Sequence, residues 1–276
     1  MNADELFSQI QQKKSFLCVG LDTDYKRIPR LLLDHEYPVF EFNKRIINAT
    51  ADLAVAYKPN LAFYESMGAA GIMSLEMTIN YLREKYPDLF IIADAKRGDI
   101  GNTSRMYANT YFKTLDCDAI TLSPFMGRDS IAPFLETEGK WAILLALTSN
   151  EGAGDFQQLL LSGGQRLFEQ VITTTASWGD IHNTMYVVGA TRASMLTGIR
   201  KLIPDHFLLV PGVGSQGGSL EEVAEYGMNA RCGLLVNASR SILYADVTNR
   251  FEIGARAEAE RLQQQMEQSL SRQKLI

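Results

Sequence analysis

Eight short apolar runs punctuate the chain, at residues 16–22, 54–60, 89–96, 118–123, 141–148, 185–190, 206–212 and 233–240. Each is nearly continuous in apolarity rather than alternating, as expected of parallel strands covered on both faces. Amphipathic stretches separate them. Ile72, Leu75, Ile79 and Leu82 step by three and four and predict one helix face. Leu167, Val171 and Ile172 do the same in the fifth spacer, and Met195, Ile199 and Ile203 in the sixth, which Pro204 stops. Alternating strands and helices imply right-handed βαβ units. Eight of them point to the α/β class and a closed (β/α)8 TIM barrel, although an open doubly wound sheet has the same strand count. There is no internal repeat, low-complexity tract or Pro/Gly/Ser linker, so residues 1–276 read as a single barrel domain. From about residue 263 the chain is polar and reads as a helical tail that frays.

Composition narrows the class. At 46% hydrophobic and 21% charged residues the chain is of ordinary globular type. A net charge of −5 and the lack of a basic stripe argue against nucleic-acid binding. No run approaches the roughly 20 apolar residues of a membrane span. The first dozen residues are polar and amphipathic rather than a signal peptide. Three cysteines, Cys18, Cys117 and Cys232, make no disulfide framework. A cytoplasmic location is expected.

In such a barrel the chemistry lies at the C-terminal strand ends. The first strand ends in Asp22, the second in Lys58-Pro59-Asn60, the third in Asp94-Ala95-Lys96-Arg97-Gly98-Asp99, and the fifth in Thr148-Ser149-Asn150. Strand alternation would put Ile92, Asp94 and Lys96 on one face, with Lys58 entering from the neighbouring strand. Buried charges of opposite sign must pair. The pattern suits a catalytic array; an ion-pair network that merely closes the barrel is the plain alternative. After the seventh strand, Gly212, Gly214 and Gly217 fit G-x-G-x-x-G, but neither place nor following acid suits a dinucleotide. Backbone amides there, with Gln216 and Arg240, suit phosphate instead. A flexible turn and a surface arginine would give the same letters. Metal and covalent chemistry find little support. His35, His182 and His206 are scattered, there is no G-x-S-x-G, and no cysteine has an evident base.

Asp94-Ala95-Lys96-Arg97-Gly98-Asp99-Ile100-Gly101-Asn102-Thr103 resembles the signature of orotidine 5′-phosphate decarboxylases, most closely their longer bacterial branch. Gly20-Leu21-Asp22, Lys58-Pro59-Asn60, Pro211-Gly212-Val213-Gly214, Gln216-Gly217-Gly218 and Ser239-Arg240 match further family motifs in order, over about residues 16 to 245. The resemblance implies cofactor-free, metal-free conversion of orotidine 5′-monophosphate (OMP) to UMP. It makes Lys96 the proton donor, within a charge array of Asp94, Lys58 and Asp99. Asp22 and Lys58 would hold ribose hydroxyls and Ser149, or the adjacent Thr148, the pyrimidine. Gln216 and Arg240 would hold the phosphate, with backbone amides near Ser239, and Pro211 would be among the substrate-binding residues. Asp99, Ile100 and Thr103 would reach into the second site of a homodimer. Two other readings stay open: another phosphosugar decarboxylase or lyase on the same barrel, metal-dependent in some forms, and a catalytically silent nucleotide-phosphate binder. The segment from Glu151 to Asp180 carries no assignable motif.

Overall fold

The computed structural model describes residues 1–213 and 217–276. Among them, eight parallel strands close into a barrel in sequence order. They are β1 Leu17–Leu21, β2 Ala56–Pro59, β3 Phe90–Arg97, β4 Ala119–Leu122, β5 Trp141–Leu147, β6 Thr184–Val188, β7 Phe207–Pro211 and β8 Leu234–Ala238. Closure is made by β8 against β1, with Leu17 opposite Val236. This excludes the open sheet. Each strand lies within or beside one of the eight apolar runs, because a strand buried on both faces has no polar positions to alternate.

Among the described residues eleven α-helices surround the strands: α1 Ala3–Lys13, α2 Pro38–Thr50, α3 Leu61–Glu65, α4 Gly68–Lys85, α5 Gly101–Asn109, α6 Arg128–Leu135, α7 Leu167–Thr175, α8 Leu196–Leu202, α9 Leu220–Gly227, α10 Arg240–Leu243 and α11 Phe251–Arg272. Phe90, Trp141 and Phe207, the first residues of β3, β5 and β7, stack edge to face at the N-terminal mouth. Side chains from alternate strands form one layer of a filled barrel in this way. The Trp141 indole donates to the Met1 carbonyl at 2.8 Å, so the chain leading into α1 closes that end.

Three helical expectations need correction. In α4, Leu75, Ile79 and Leu82 are buried, but Ile72 is 44% exposed. The first turn presents Gly71 instead, whose added Cβ would fall 1.9 Å from the Tyr64 carbonyl oxygen. Only a glycine lets α4 come that close to α3. In α7 the inward stripe is Phe168, Ile172 and Thr175, with Leu167 and Val171 only half-buried. The C-terminal helix starts at Phe251, well before 263, and its last turns are packed rather than frayed. Leu262, Met266 and Leu270 continue an apolar stripe inside a polar sequence. Lys14 pairs with Glu267 at 2.8 Å, and Gln11 donates to the Leu275 carbonyl at 2.8 Å, tying α11 to α1.

Candidate active site

A cavity of about 610 Å³ opens at the C-terminal ends of the strands, and Asp22, Lys58, Asp94, Lys96, Ser149, Pro211, Ser239 and Arg240 all line it. The motif residues of six different strands thus converge on one space.

Its charged wall begins with register. Gly20 of β1 faces Lys58 of β2, and Asn60 bridges to Asp94 of β3. Lys58 Nζ lies 2.7 Å from Asp94 Oδ2 and 3.9 Å from Asp22 Oδ1. Lys96 Nζ lies 2.6 Å from Asp94 Oδ1. Lys58 is 3% exposed and Asp94 8%, whereas the Lys96 side chain is half-exposed toward the cavity. Burial works against charge on Lys58, but Asp94 and Asp22 outweigh it and hold the ammonium above the ordinary lysine range. Burial likewise works against the Asp94 carboxylate, and Lys58 and Lys96 outweigh it, holding Asp94 well below the usual carboxylate range. Alternation alone does not bring Lys96 there. Its φ is +47°, and the β3–β4 ladder shifts register between Ala93 and Arg97. A left-handed residue and a bulge aim the side chain.

Beside Lys58, Asp22 Oδ1 and, farther along, Ser239 Oγ are buried without a hydrogen-bond partner among the described residues. Ser239 sits there because Gly20 leaves room: a Cβ on Gly20 would fall 2.7 Å from the Ser239 Cβ. Arg240 opens α10 and stands exposed at the rim. Pro211 ends β7, and Gly212 follows at φ +94°. Gln216 lies outside the described residues. Thr148 and Ser149 both line the cavity. Thr148 is clamped by Gln157, which accepts from its N–H at 2.8 Å and donates to its hydroxyl at 2.9 Å.

Asp99, Ile100 and Thr103 do not line the cavity of their own chain. The Asp99 carboxylate accepts from the Ile100 N–H at 2.8 Å, and Ile100 is 53% exposed. The histidines stand elsewhere. His182 accepts from the Ala3 N–H at 3.3 Å, His206 packs edge-on against Tyr186, and His35 is exposed. Among the described residues no group of three His, Cys, Asp or Glu is placed to hold a metal ion, and no helix is long and apolar enough to cross a membrane. All three cysteines are buried. Burial pushes the Cys18 thiol up to about 12, against the pull of Lys58, which leaves it a poor nucleophile.

Sequence reasoning missed Thr121, Asn237 and Phe63, which also line the cavity, and named Asn60 only as part of a motif, without a role. For two of them a signal exists. Thr121 and Asn237 are polar residues inside otherwise apolar strand runs, and a polar group in a doubly covered strand needs a partner or a ligand.

Comparison with known proteins agrees with this geometry. Residues 15–251 match the model of the Orotidine 5'-phosphate decarboxylase / HUMPS family. A Bacteroides fragilis protein named orotidine 5'-phosphate decarboxylase is 60% identical over 98% of both chains. A protein of that name from Porphyromonas gingivalis is 61% identical over the whole of both. The solved OMP decarboxylase of Leishmania donovani superposes with a TM-score of 0.82 at 35% identity, covering 98% of each chain. Barrel closure, the order of the motifs along it and full-length identity at this level all place the chain in the orotidine 5′-phosphate decarboxylase / HUMPS family.

Proposed function

We propose that this chain, as one barrel domain over residues 1–276, decarboxylates OMP to UMP and carbon dioxide in de novo pyrimidine biosynthesis in the cytoplasm. The observation that carries the reading is the Lys58–Asp94–Lys96 array, fixed at 2.7 and 2.6 Å in the cavity wall. The bond from C6 to the carboxylate breaks, and its electron pair stays on C6 in the ring plane, where no resonance sink receives it. Stabilisation must then come from preorganised charge, stronger for the transition state than for bound substrate. The Lys96 ammonium supplies both the field and the proton that C6 takes up. Asp94 keeps that ammonium charged and oriented, and Lys58 keeps Asp94 ionised. No metal or cofactor takes part.

The rest of the site holds the nucleotide. Asp22 and Lys58 take the ribose hydroxyls; Asp22 Oδ1, buried without a hydrogen-bond partner among the described residues, supports this. Ser149, which lines the cavity beside Thr148, meets the pyrimidine. Arg240, Gln216 and the backbone near Ser239 hold the phosphate, whose binding energy, remote from C6, helps close the site, and Pro211 is a further substrate contact. Two chains form a two-fold dimer in which Asp99, Ile100 and Thr103 complete the partner's site. Exposed apolar side chains after β3 and β4 support this: Phe125 is 91% exposed, and Ile100, Met106 and Met126 are exposed as well.

A spectrophotometric assay with OMP, with and without EDTA, tests the proposal. Turnover unaffected by chelation is expected. Turnover lost on chelation and restored by a divalent cation would assign a metal-dependent lyase instead. UMP binding without turnover would assign a silent nucleotide-phosphate binder.

A further inference from the structure

The β3–β4 ladder pairs Ala93 with Ile120 and resumes only at Arg97 with Leu122. Three residues of β3, Asp94, Ala95 and Lys96, therefore stand opposite one residue of β4, Thr121. A bulge of this kind leaves backbone groups without ladder partners. Here the Thr121 side chain replaces one. The Lys96 N–H donates to Thr121 Oγ1 at 2.9 Å, and Thr121 Oγ1 donates to Asp94 Oδ1 at 2.9 Å.

The direction of this relay follows from the groups. A backbone N–H can only donate, so the hydroxyl accepts from Lys96. An ionised carboxylate can only accept, so the single hydroxyl proton goes to Asp94. Thr121 is 1% exposed and lines the cavity, so little water competes for either bond. One side chain thus holds the left-handed backbone of Lys96, at φ +47°, and one oxygen of Asp94. That same oxygen accepts from Lys96 Nζ at 2.6 Å.

We propose that Thr121 is a positioning residue for the decarboxylation, setting the Lys96 ammonium at C6 through its backbone and through Asp94. The inference rests on the decarboxylase reading. Both bonds of its hydroxyl go to Lys96 and Asp94, so it should act on the chemical step and not on nucleotide binding.

The test is the single-turnover rate of OMP decarboxylation and the Kd for UMP, measured side by side on Thr121→Ser, Thr121→Cys and Thr121→Val. Serine keeps the hydroxyl. Cysteine differs from serine by one atom and is a weak donor and acceptor. Valine keeps the volume and loses both bonds. Thr121→Ser should stay within about threefold of wild type, whereas Thr121→Cys and Thr121→Val should slow the chemical step on the order of 10- to 100-fold. The Kd for UMP should move by less than about threefold in all of them. If Thr121→Val does not fold, the serine and cysteine pair still reads the contrast, since both lose the same methyl group. Serine and cysteine variants equally fast would overturn the inference, because the hydroxyl would then be idle. Both equally slow would also overturn it, because the methyl packing would be what matters. Rate and UMP affinity falling in parallel would make Thr121 structural only. A wild-type protein inert toward OMP would end the decarboxylase reading itself, and this inference with it.

Discussion

Lys58 and Asp94 lie side by side beneath the cavity, ammonium nitrogen 2.7 Å from carboxylate oxygen, both nearly sealed from water. Burial opposes the charge on each, and mutual attraction outweighs it on both. The linkage has two ends. Asp94 is depressed when folded, so its contribution is present above the unfolded value, about 3.9, and is lost as pH falls through the folded one. Lys58 is raised when folded, so its contribution is present below about 10.4 and is lost as pH rises through the folded value. Between those limits the pair stays charged.

Asp94→Asn should therefore destabilise the fold by about 3 kcal/mol at neutral pH, because Lys58 keeps only Asp22 at 3.9 Å. Urea titrations at a series of pH values check this. The wild-type midpoint should fall steadily below about pH 4, and the difference from Asp94→Asn should shrink there. A constant difference down to pH 3 would remove Asp94 from the linkage.

Lys96→Ala and Arg240→Ala should separate chemistry from binding. Lys96→Ala should abolish decarboxylation while the calorimetric Kd for UMP changes little, because the residues proposed to hold phosphate and ribose lie on other strands. Arg240→Ala should weaken UMP by roughly 10- to 100-fold through loss of a charge-assisted pair, and uridine hardly at all. Near wild-type turnover in Lys96→Ala would take Lys96 out of the mechanism.

Asp99 is expected to act across the dimer. Lys96→Ala and Asp99→Ala proteins, each nearly inactive, should recover activity when mixed under subunit exchange. Random pairing makes roughly a quarter of all sites intact under two-fold symmetry. Exchange verified by mass labelling, with no recovery of rate, would show that Asp99 acts within its own chain or not at all.

The C-terminal helix should contribute to global stability. Met266 and Leu270 are fully buried, so Met266→Ala or Leu270→Ala should each cost about 2–5 kcal/mol. Thermal unfolding would report the loss, and the turnover rate well below the transition should be unchanged. A melting temperature equal to wild type would mean that this end of α11 is not part of the cooperative unit.

What could be read along the chain was what local pattern determines. The strands were legible because burial on both faces leaves unbroken apolar runs. Lys58, Asp94 and Lys96 were legible because charges ending such runs stand out. The inward face of α4 was misjudged because Gly71, with no side chain to count as apolar, makes the closest approach. The packing of α11 was missed because its apolar stripe is thin among Gln, Glu and Arg. Thr121 was missed because its partners lie 25 and 27 residues away, across a bulge that simple alternation does not foresee.

The left-handed backbone of Lys96 bears on how this protein can be improved by design. At φ +47° a glycine fits where any other L-residue is strained by about 1–2 kcal/mol. Were Lys96 replaced, Asp94 would keep Lys58 and Thr121 as partners. Lys96→Gly should therefore melt no lower than wild type, while losing the ammonium proposed to donate the proton. A thermostabilisation campaign scored on folding alone would accept that change and discard the catalyst, so selection for heat resistance here has to carry an activity screen beside it.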